Sequence, residues 1–240
     1  MLAYPSPLTW PRMNNQSVRV WDLPLRMFHW LLLVCVAGAL ISVQFKAMDW
    51  HGRFGLAVLG LLVFRLAWGL IGSTHARFWS FAPGPTSLVD YLRGRWRGIG
   101  HNPLGALSVF AILGVLAFQA GTGLFADDVI AYTGPLRRAV SGDTASQLTS
   151  WHMRMEWVIY GLIALHLAAI AFHELIKRER LIKPMITGRK PLEGHTIAEE
   201  ARGGGWIAFI IAVAMAATAV WIANGALLSP PPPPPPDLGW

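Results

Sequence analysis

The sequence contains a single cysteine and few charged side chains. Cys35 has no partner for an intramolecular disulfide, and one thiolate is too few to hold an iron–sulfur cluster. Only 14% of the residues are charged, against about 25% in a typical soluble domain. There is no nucleotide or flavin fingerprint, the glycine run 203–205 lacks the lysine of a phosphate loop, and no serine or threonine has a base and acid partner set. These absences disfavour a soluble domain, a nucleotide-binding enzyme and a hydrolase.

Long apolar stretches dominate the chain. Hydrophobic residues make up 54% of it, and a membrane-spanning helix needs about 20 of them in succession. The first stretch begins too late and continues too far for a cleaved signal peptide, so we interpret it as a retained span. The sequence therefore predicts an all-α integral membrane protein. Its five transmembrane helices are expected at residues 25–47, 51–71, 103–125, 152–174 and 206–228.

Arginine and lysine are unevenly distributed between the connecting segments. They cluster before the first span, between the second and third spans, and after the fourth. By the positive-inside rule these segments are cytoplasmic, which places the amino terminus inside and the carboxyl terminus on the periplasmic side. Membrane topology thus accounts for the net charge of +7, and no nucleic acid partner is expected.

The chain divides into five predicted segments. The glycines at 203–205 predict a flexible joint before the fifth span, which lacks ionisable side chains and favours an anchor or a partner-binding helix. The prolines at 230–236 predict an extended spacer, a ligand for an aromatic groove, or a disordered tail. The boundaries are 1–20 for a loose cytoplasmic leader, 21–190 for the four-helix domain, 191–205 for a cytoplasmic linker, 206–228 for the fifth helix and 229–240 for a proline-rich periplasmic tail.

Four histidines in the spans fall at two depths. His152 and His166 are 14 residues apart on the fourth span, which corresponds to about 21 Å of rise and a residual rotation of only about 40°. Topology then pairs His29 with His166 near the cytoplasm and His51 with His152 near the outer face. Two imidazole pairs in a helix bundle suit two six-coordinate haem irons, whereas a zinc site would gather its ligands at one depth. For any one histidine, a packing or proton-linked role is the alternative.

Several sequence runs resemble the bacterial cytochrome b561 family, which includes the cytochrome b subunits of nickel–iron hydrogenases. The resemblance covers about residues 18–190. Departures from the family are the fifth span, the proline tail, and Met153 where common relatives carry Glu, the nearby acid here being Glu156. The runs are 20–30 (VWDLPLRMFHW), 51–55 (HGRFG), 65–69 (RLAWG), 100–105 (GHNPLG), and the stretch from His152 through His166 to 185–190 (MITGRK).

The resemblance implies a four-helix bundle in a bacterial inner membrane that binds two haems b and exchanges electrons with quinone. Carried over position by position, it assigns His29, His51, His152 and His166 as iron ligands. These are the same four histidines that the depth argument selects.

Arginines near these histidines are candidates for binding haem propionates, which are anionic. Arg26 lies one helical turn before His29, and Arg53 and Arg154 lie two residues after His51 and His152. The alternative is that each is an interfacial arginine whose head extends to the membrane surface.

Two further residues are candidates for the cytoplasmic haem or a quinone pocket. Arg65 lies 14 residues beyond His51, which places it near the depth of the cytoplasmic pair. His101, at the start of the third span, is expected to donate to a quinone or a propionate, or else to be an ordinary helix-start residue. His75, His173 and His195 are predicted to be exposed at the cytoplasmic ends.

The leading hypothesis is a dihaem cytochrome b that transfers electrons between membrane quinone and a periplasmic or membrane redox partner. One alternative is an anchor subunit of a larger hydrogenase or dehydrogenase. Another is a free-standing oxidoreductase of superoxide or quinone. A haem-free transporter is disfavoured, because few polar side chains lie near the middle of the spans.

Overall fold

The computed structural model describes residues 17–98, 100–191 and 200–228. The predicted proline tail, His195 and residues 1–16 of the predicted leader lie outside the described residues. The helices are α1 (Leu23–Gln44), α2 (Met48–Ile71), α3 (Phe78–Phe81), α4 (Pro85–Leu92), α5 (Pro103–Phe125), α6 (Gly142–Ala171), α7 (Ile182–Thr187) and α8 (Trp206–Ala223). Five of them, α1, α2, α5, α6 and α8, are long and apolar enough to cross a membrane. The predicted all-α membrane fold is confirmed.

Side-chain caps begin three of the long helices. The Asp22 carboxylate accepts a hydrogen bond from the Leu25 amide at 2.7 Å, and the Asn102 side chain accepts one from Gly105 at 2.7 Å. Ser141 caps α6, which therefore begins at Gly142 and not near residue 152 as hydropathy predicts. The extra turns are polar, so His152 lies inside the helix and not at its start.

The end of α6 winds into a π-helical turn, Phe172–Ile176. One Glu174 carboxylate oxygen accepts hydrogen bonds from the amides of Leu181, at 2.6 Å, and Ile182, at 2.8 Å. The same carboxylate therefore fixes the chain reversal that leads into α7.

Four pairs of long helices pack closely: α1 with α2, α2 with α5, α5 with α6, and α2 with α8. The contact between α2 and α8 includes an edge-on aromatic pair, Phe64 and Phe209, at 5.9 Å between ring centroids. A Cβ atom at Gly60 would lie 2.8 Å from Val220 Cγ2, so glycine is needed for the close approach of α8. The fifth membrane helix is thus packed along the bundle.

Two short strands join the beginning of the described chain to the end of the four-helix domain. Strands β1 (Ser17–Arg19) and β2 (Arg189–Pro191) pair antiparallel. The amides of Val20 and Trp21 donate to the Gly188 carbonyl at 2.9 and 3.2 Å. The prediction of a loose leader is therefore wrong for residues 17–19.

The glycine run before α8 is held in place, contrary to the predicted flexible joint. The Thr74 amide donates to the Arg202 carbonyl at 2.8 Å, and the Arg202 amide donates to the Thr74 hydroxyl at 2.9 Å. Gly203, Gly204 and Gly205 have φ angles of +85°, +82° and +24°. Side chains are strained in this left-handed region, so the glycines supply a specific conformation and not mobility.

Candidate functional site

His51 on α2 and His152 on α6 face each other across the bundle; we call them the outer pair. Their ring centroids are 5.9 Å apart and their planes are nearly perpendicular, at 89°. Two imidazoles on opposite sides of one metal hold their centres roughly 6 Å apart, from about 2 Å per metal–nitrogen bond and about 1 Å within each ring. The spacing therefore matches one iron ion between the two rings.

Backbone carbonyls orient both imidazoles of the outer pair. His51 Nδ1 lies 3.0 Å from the Ala39 carbonyl oxygen, and His152 Nδ1 lies 3.0 Å from that of Gln119. Because a carbonyl oxygen accepts only, each neutral imidazole carries its proton on Nδ1 and keeps the Nε2 lone pair for a metal. The Thr122 hydroxyl lies 3.3 Å from His152 Nδ1 and supports the same ring.

A cavity lies beside the outer pair, and apolar side chains of α1, α2, α5 and α6 form most of its walls. Gly52, Gly55 and Gly123 line it. A Cβ atom at Gly55 would meet nothing within 4 Å. The apolar walls, the glycines and the paired imidazoles therefore fit a haem.

His29 on α1 and His166 on α6, the inner pair, lie within electrostatic range of each other. His29 Nδ1 is buried and has no hydrogen-bond partner within the described part of the chain. Among residues 17–98, 100–191 and 200–228, α1 and α6 are not one of the closely packed helix pairs. The two helices thus bring these histidines within electrostatic range without packing closely, an arrangement that fits a haem between them.

Other kinds of metal site find less support. Among the residues that the structure describes, no group of three or more His, Cys, Asp or Glu side chains gathers around one point. A zinc site built from protein side chains needs three or four ligands. The described residues therefore favour paired imidazoles over a zinc cluster.

Arg65 and His101 lie together at the His29 end of the bundle. Arg65 is only 2% exposed, its guanidinium lies 4.5 Å from the centre of the Phe78 ring, and its Nη1 has no partner in the described chain. His101 packs between Trp21 and Phe81 at 4.5 and 4.7 Å between centroids, and its buried Nδ1 is likewise unpartnered in the described residues.

The charge state of His101 follows from its burial. Burial, with a smaller contribution from the charge of Arg65, lowers the pKa of His101 to about 3. The imidazole is therefore neutral at physiological pH, and its Nδ1 is available to a polar group of a ligand.

The other predicted propionate arginines have different surroundings. The Arg26 guanidinium donates to the Ile186 carbonyl, while its buried Nε has no partner among the described residues. Arg53 is exposed and lies 5.0 Å from the centre of the Trp50 ring. Arg154 is exposed. Arg53 and Arg154 are therefore exposed, whereas Arg65 and the Nδ1 atom of His101 are buried at the His29 end of the bundle.

The predicted exposure is wrong for His173 and holds only in part for His75, and one site residue was not predicted. His173 was expected to be exposed but is 8% exposed, with Nδ1 at 2.8 Å from a Glu179 carboxylate oxygen. His75 is partly buried in a short 3-10 turn. Tyr132, in the loop between α5 and α6, lines the outer cavity. No sequence periodicity marks a loop side chain, so only its position near the outer end of the spans could have drawn attention to it.

Comparison with known proteins shows which family the sequence matches. The model of the prokaryotic cytochrome b561 family matches residues 20–188. The probable Ni/Fe-hydrogenase 1 B-type cytochrome subunit of Escherichia coli (strain K12) is 20% identical over 230 residues, covering 79% of this chain and 97% of the relative. Probable Ni/Fe-hydrogenase B-type cytochrome subunits of Rhizobium leguminosarum bv. viciae and Azotobacter chroococcum mcd 1 are also similar. The first is 22% identical, covering 74% of this chain and 90% of the relative. The second is 23% identical, covering 73% and 89%.

No solved structure matches the chain. The family match covers more than half of the sequence and includes both histidine pairs. It implies haem b and electron transfer in a membrane. On these grounds the chain belongs to the prokaryotic cytochrome b561 family.

Proposed function

We propose that this protein is a dihaem b-type cytochrome that transfers electrons across the membrane between a quinone pool and a redox partner protein. The observation that carries the proposal is the outer pair. His51 and His152 are 5.9 Å apart between ring centroids, and both Nδ1 atoms are held by carbonyls beside a cavity with mostly apolar walls. A bound haem supplies an iron that accepts and releases one electron.

In this proposal the protein positions one haem at each depth. His51 and His152 hold the outer haem, and His29 and His166 hold the inner one. His152 and His166 share helix α6, so a rigid helix fixes the separation of the two sites at about 21 Å along its axis. The carbonyls of Ala39 and Gln119 keep the outer imidazoles in the tautomer that binds iron.

Arg65 and His101 serve the inner side. The buried guanidinium of Arg65 interacts with the charge of Asp22, but its Nη1 has no partner among the described residues. A further anion or acceptor there would offset the cost of its burial. A propionate of the inner haem or the carbonyl oxygen of a quinone has the right chemistry. The neutral imidazole of His101 can donate from Nδ1 to the same group.

The similar proteins favour a role within a larger enzyme. The relatives are named as hydrogenase cytochrome subunits, and we infer that this chain likewise transfers electrons for a bound oxidoreductase. The distribution of basic segments supports an amino terminus in the cytoplasm and an outer pair toward the periplasm. Copurification of a large redox partner supports this role. An isolated chain that reduces or oxidises quinone or superoxide favours a free-standing oxidoreductase instead.

The test is a reduced-minus-oxidised absorbance spectrum of the purified full chain with haem quantification. Wild type is expected to hold two haems b. His51→Ala and His152→Ala should lose the same haem, and His29→Ala and His166→Ala the other. His75→Ala, a histidine outside both pairs, is the control and should retain both. A wild-type chain with one haem or none contradicts the proposal.

A further inference from the structure

One side chain of the loop between α5 and α6, that of Tyr132, lines the cavity beside the outer pair. The ring of Tyr132 meets the imidazole of His51 edge-on at 6.0 Å between centroids. It also covers Gly52, where a Cβ atom would lie 3.2 Å from Tyr132 Cε2. Tyr132 is therefore a wall of the site that touches the ring of a proposed iron ligand.

Asp128 holds the turn that presents Tyr132. One of its carboxylate oxygens accepts hydrogen bonds from the amides of Ile130, Ala131 and Tyr132, at 3.0, 2.8 and 2.8 Å. The Asp128 amide donates in return to the Tyr132 carbonyl at 3.1 Å. Donation from these amides, that of Tyr132 above all, lowers the pKa of the Asp128 carboxyl, so it stays ionised at neutral pH.

The turn is strained and its base is anchored. Val129 has φ +65°, a conformation that is unfavourable for a β-branched residue and persists only where the surroundings impose it. At the base, Arg137 donates to the Asp127 carboxylate at 2.9 Å, and the Asp127 amide donates to the Thr149 hydroxyl at 2.9 Å. With the base tied to α6, the Asp128 turn decides where Tyr132 lies.

We propose that Tyr132 is a positioning residue of the outer haem site, which it closes against water, and that Asp128 latches Tyr132 in this place. The inference rests on the proposed function, because it requires a haem between His51 and His152. Ferric haem carries one more positive charge than ferrous haem, so water at the haem edge stabilises the ferric form and lowers the midpoint potential. A closed wall raises the potential and slows the entry of polar reagents.

The test uses the full chain in the His29→Ala background, where the outer haem is the only one expected. Tyr132→Ala should lower its midpoint potential and raise several-fold its rate of reduction by dithionite added outside proteoliposomes. Tyr132→Phe keeps the ring and should behave as the background does. Asp128→Ala should also lower the midpoint potential and raise the rate of reduction by dithionite. Asp128→Asn keeps an accepting oxygen and should leave both at the values of the background. Asp143→Ala, an exposed acid in the first turn of α6, controls for the lost charge.

A second readout does not depend on haem. Hydrogen exchange across residues 127–133 should be faster in Asp128→Ala than in wild type and unchanged in Asp143→Ala. The Asp128→Ala and Tyr132→Ala effects on potential should not add in the double variant, because both open the same wall. The inference is overturned if Tyr132→Ala retains its haem and has the midpoint potential and dithionite reduction rate of the His29→Ala background. That outcome leaves the proposed function standing. Absence of haem from the His29→Ala background overturns the proposed function, and unchanged exchange in Asp128→Ala overturns the latch.

Discussion

Trp68 Nε1 donates a hydrogen bond of 2.9 Å to a carboxylate oxygen of Asp22, which joins the end of α2 to the start of α1. The same carboxylate caps α1 through the Leu25 amide and accepts from the Ser73 hydroxyl. Trp68 is 3% exposed, so loss of its acceptor leaves an indole N–H without a partner away from water. Asp22 is therefore a joint between three segments of the bundle.

Asp22→Ala is expected to destabilise the protein by about 2–3 kcal/mol, since it removes a helix cap and strands a buried donor. Asp22→Asn, which keeps an accepting oxygen, should cost less. Thermal unfolding in detergent, followed by circular dichroism, measures both. The control is Asp90→Ala, because the Asp90–Arg95 ion pair is exposed, with side chains 46% and 58% accessible, and should contribute less than about 1 kcal/mol. Equal losses of stability in Asp22→Ala and Asp90→Ala contradict the role of Asp22 in joining the three segments.

Gly123→Ala is expected to displace the outer haem. A Cβ atom at this position would lie 2.8 Å from Cε1 of His152, whereas one at Gly121, on the same helix, would meet nothing within 4 Å. Gly121→Ala is thus a matched control for the change in helix propensity. Haem per chain and the absorbance spectrum should change in Gly123→Ala alone. Retention of two haems with wild-type potentials in Gly123→Ala argues against iron between His51 and His152.

Arg65→Gln is expected to lower the midpoint potential of the inner haem. A buried positive charge stabilises ferrous over ferric haem, so its removal should lower the potential by on the order of 50 mV. Arg65→Lys keeps the charge and should recover much of the shift, although a lysine reproduces the guanidinium geometry poorly. Redox titration of both variants, with exposed Arg53→Gln as control, checks this. An equal shift in the midpoint potentials of both haems indicates a general loss of structure.

Gly60→Val is expected to detach α8 from α2 without loss of haem. A Cβ atom at Gly60 would already lie 2.8 Å from Val220, so a larger side chain forces the two helices apart at a cost of roughly 1–3 kcal/mol. A second change, Val220→Ala, should restore part of the stability. Gly114→Val on α5 is the control, since a Cβ atom there meets nothing within 4 Å. Thermal unfolding and haem content are the measurements. Haem loss in Gly60→Val indicates that α8 supports the haem domain.

Local sequence properties predicted the parts of this fold that depend on the bilayer. Hydropathy predicted the ends of α2 and α5 accurately, because an apolar run of membrane length is sufficient to define a span. Depth and helical rise also selected His51 and His152, which the structure brings together. Hydropathy missed the first turns of α6 because they are polar and begin at a Ser141 cap.

Features that depend on contacts between distant segments were not predictable in this way. Trp68 leaves no room for a side chain at Gly204, since a Cβ atom there would lie 2.9 Å from the indole. His173 is buried because a π-helical turn and the Glu179 carboxylate enclose it. The direction of Tyr132 is set by the backbone hydrogen bonds to Asp128. In each case the conformation depends on a contact that only the folded chain brings together.

The pairing of β1 with β2 also has a consequence for biosynthesis. Residues 17–19 leave the ribosome early, but their partners at 189–191 are made only after all four histidine-bearing positions have been translated. Contacts of such sequence separation form late. The β1–β2 pair therefore forms only after the segments that carry both histidine pairs have been made. A chain truncated before residue 189 lacks the partner strand of residues 17–19.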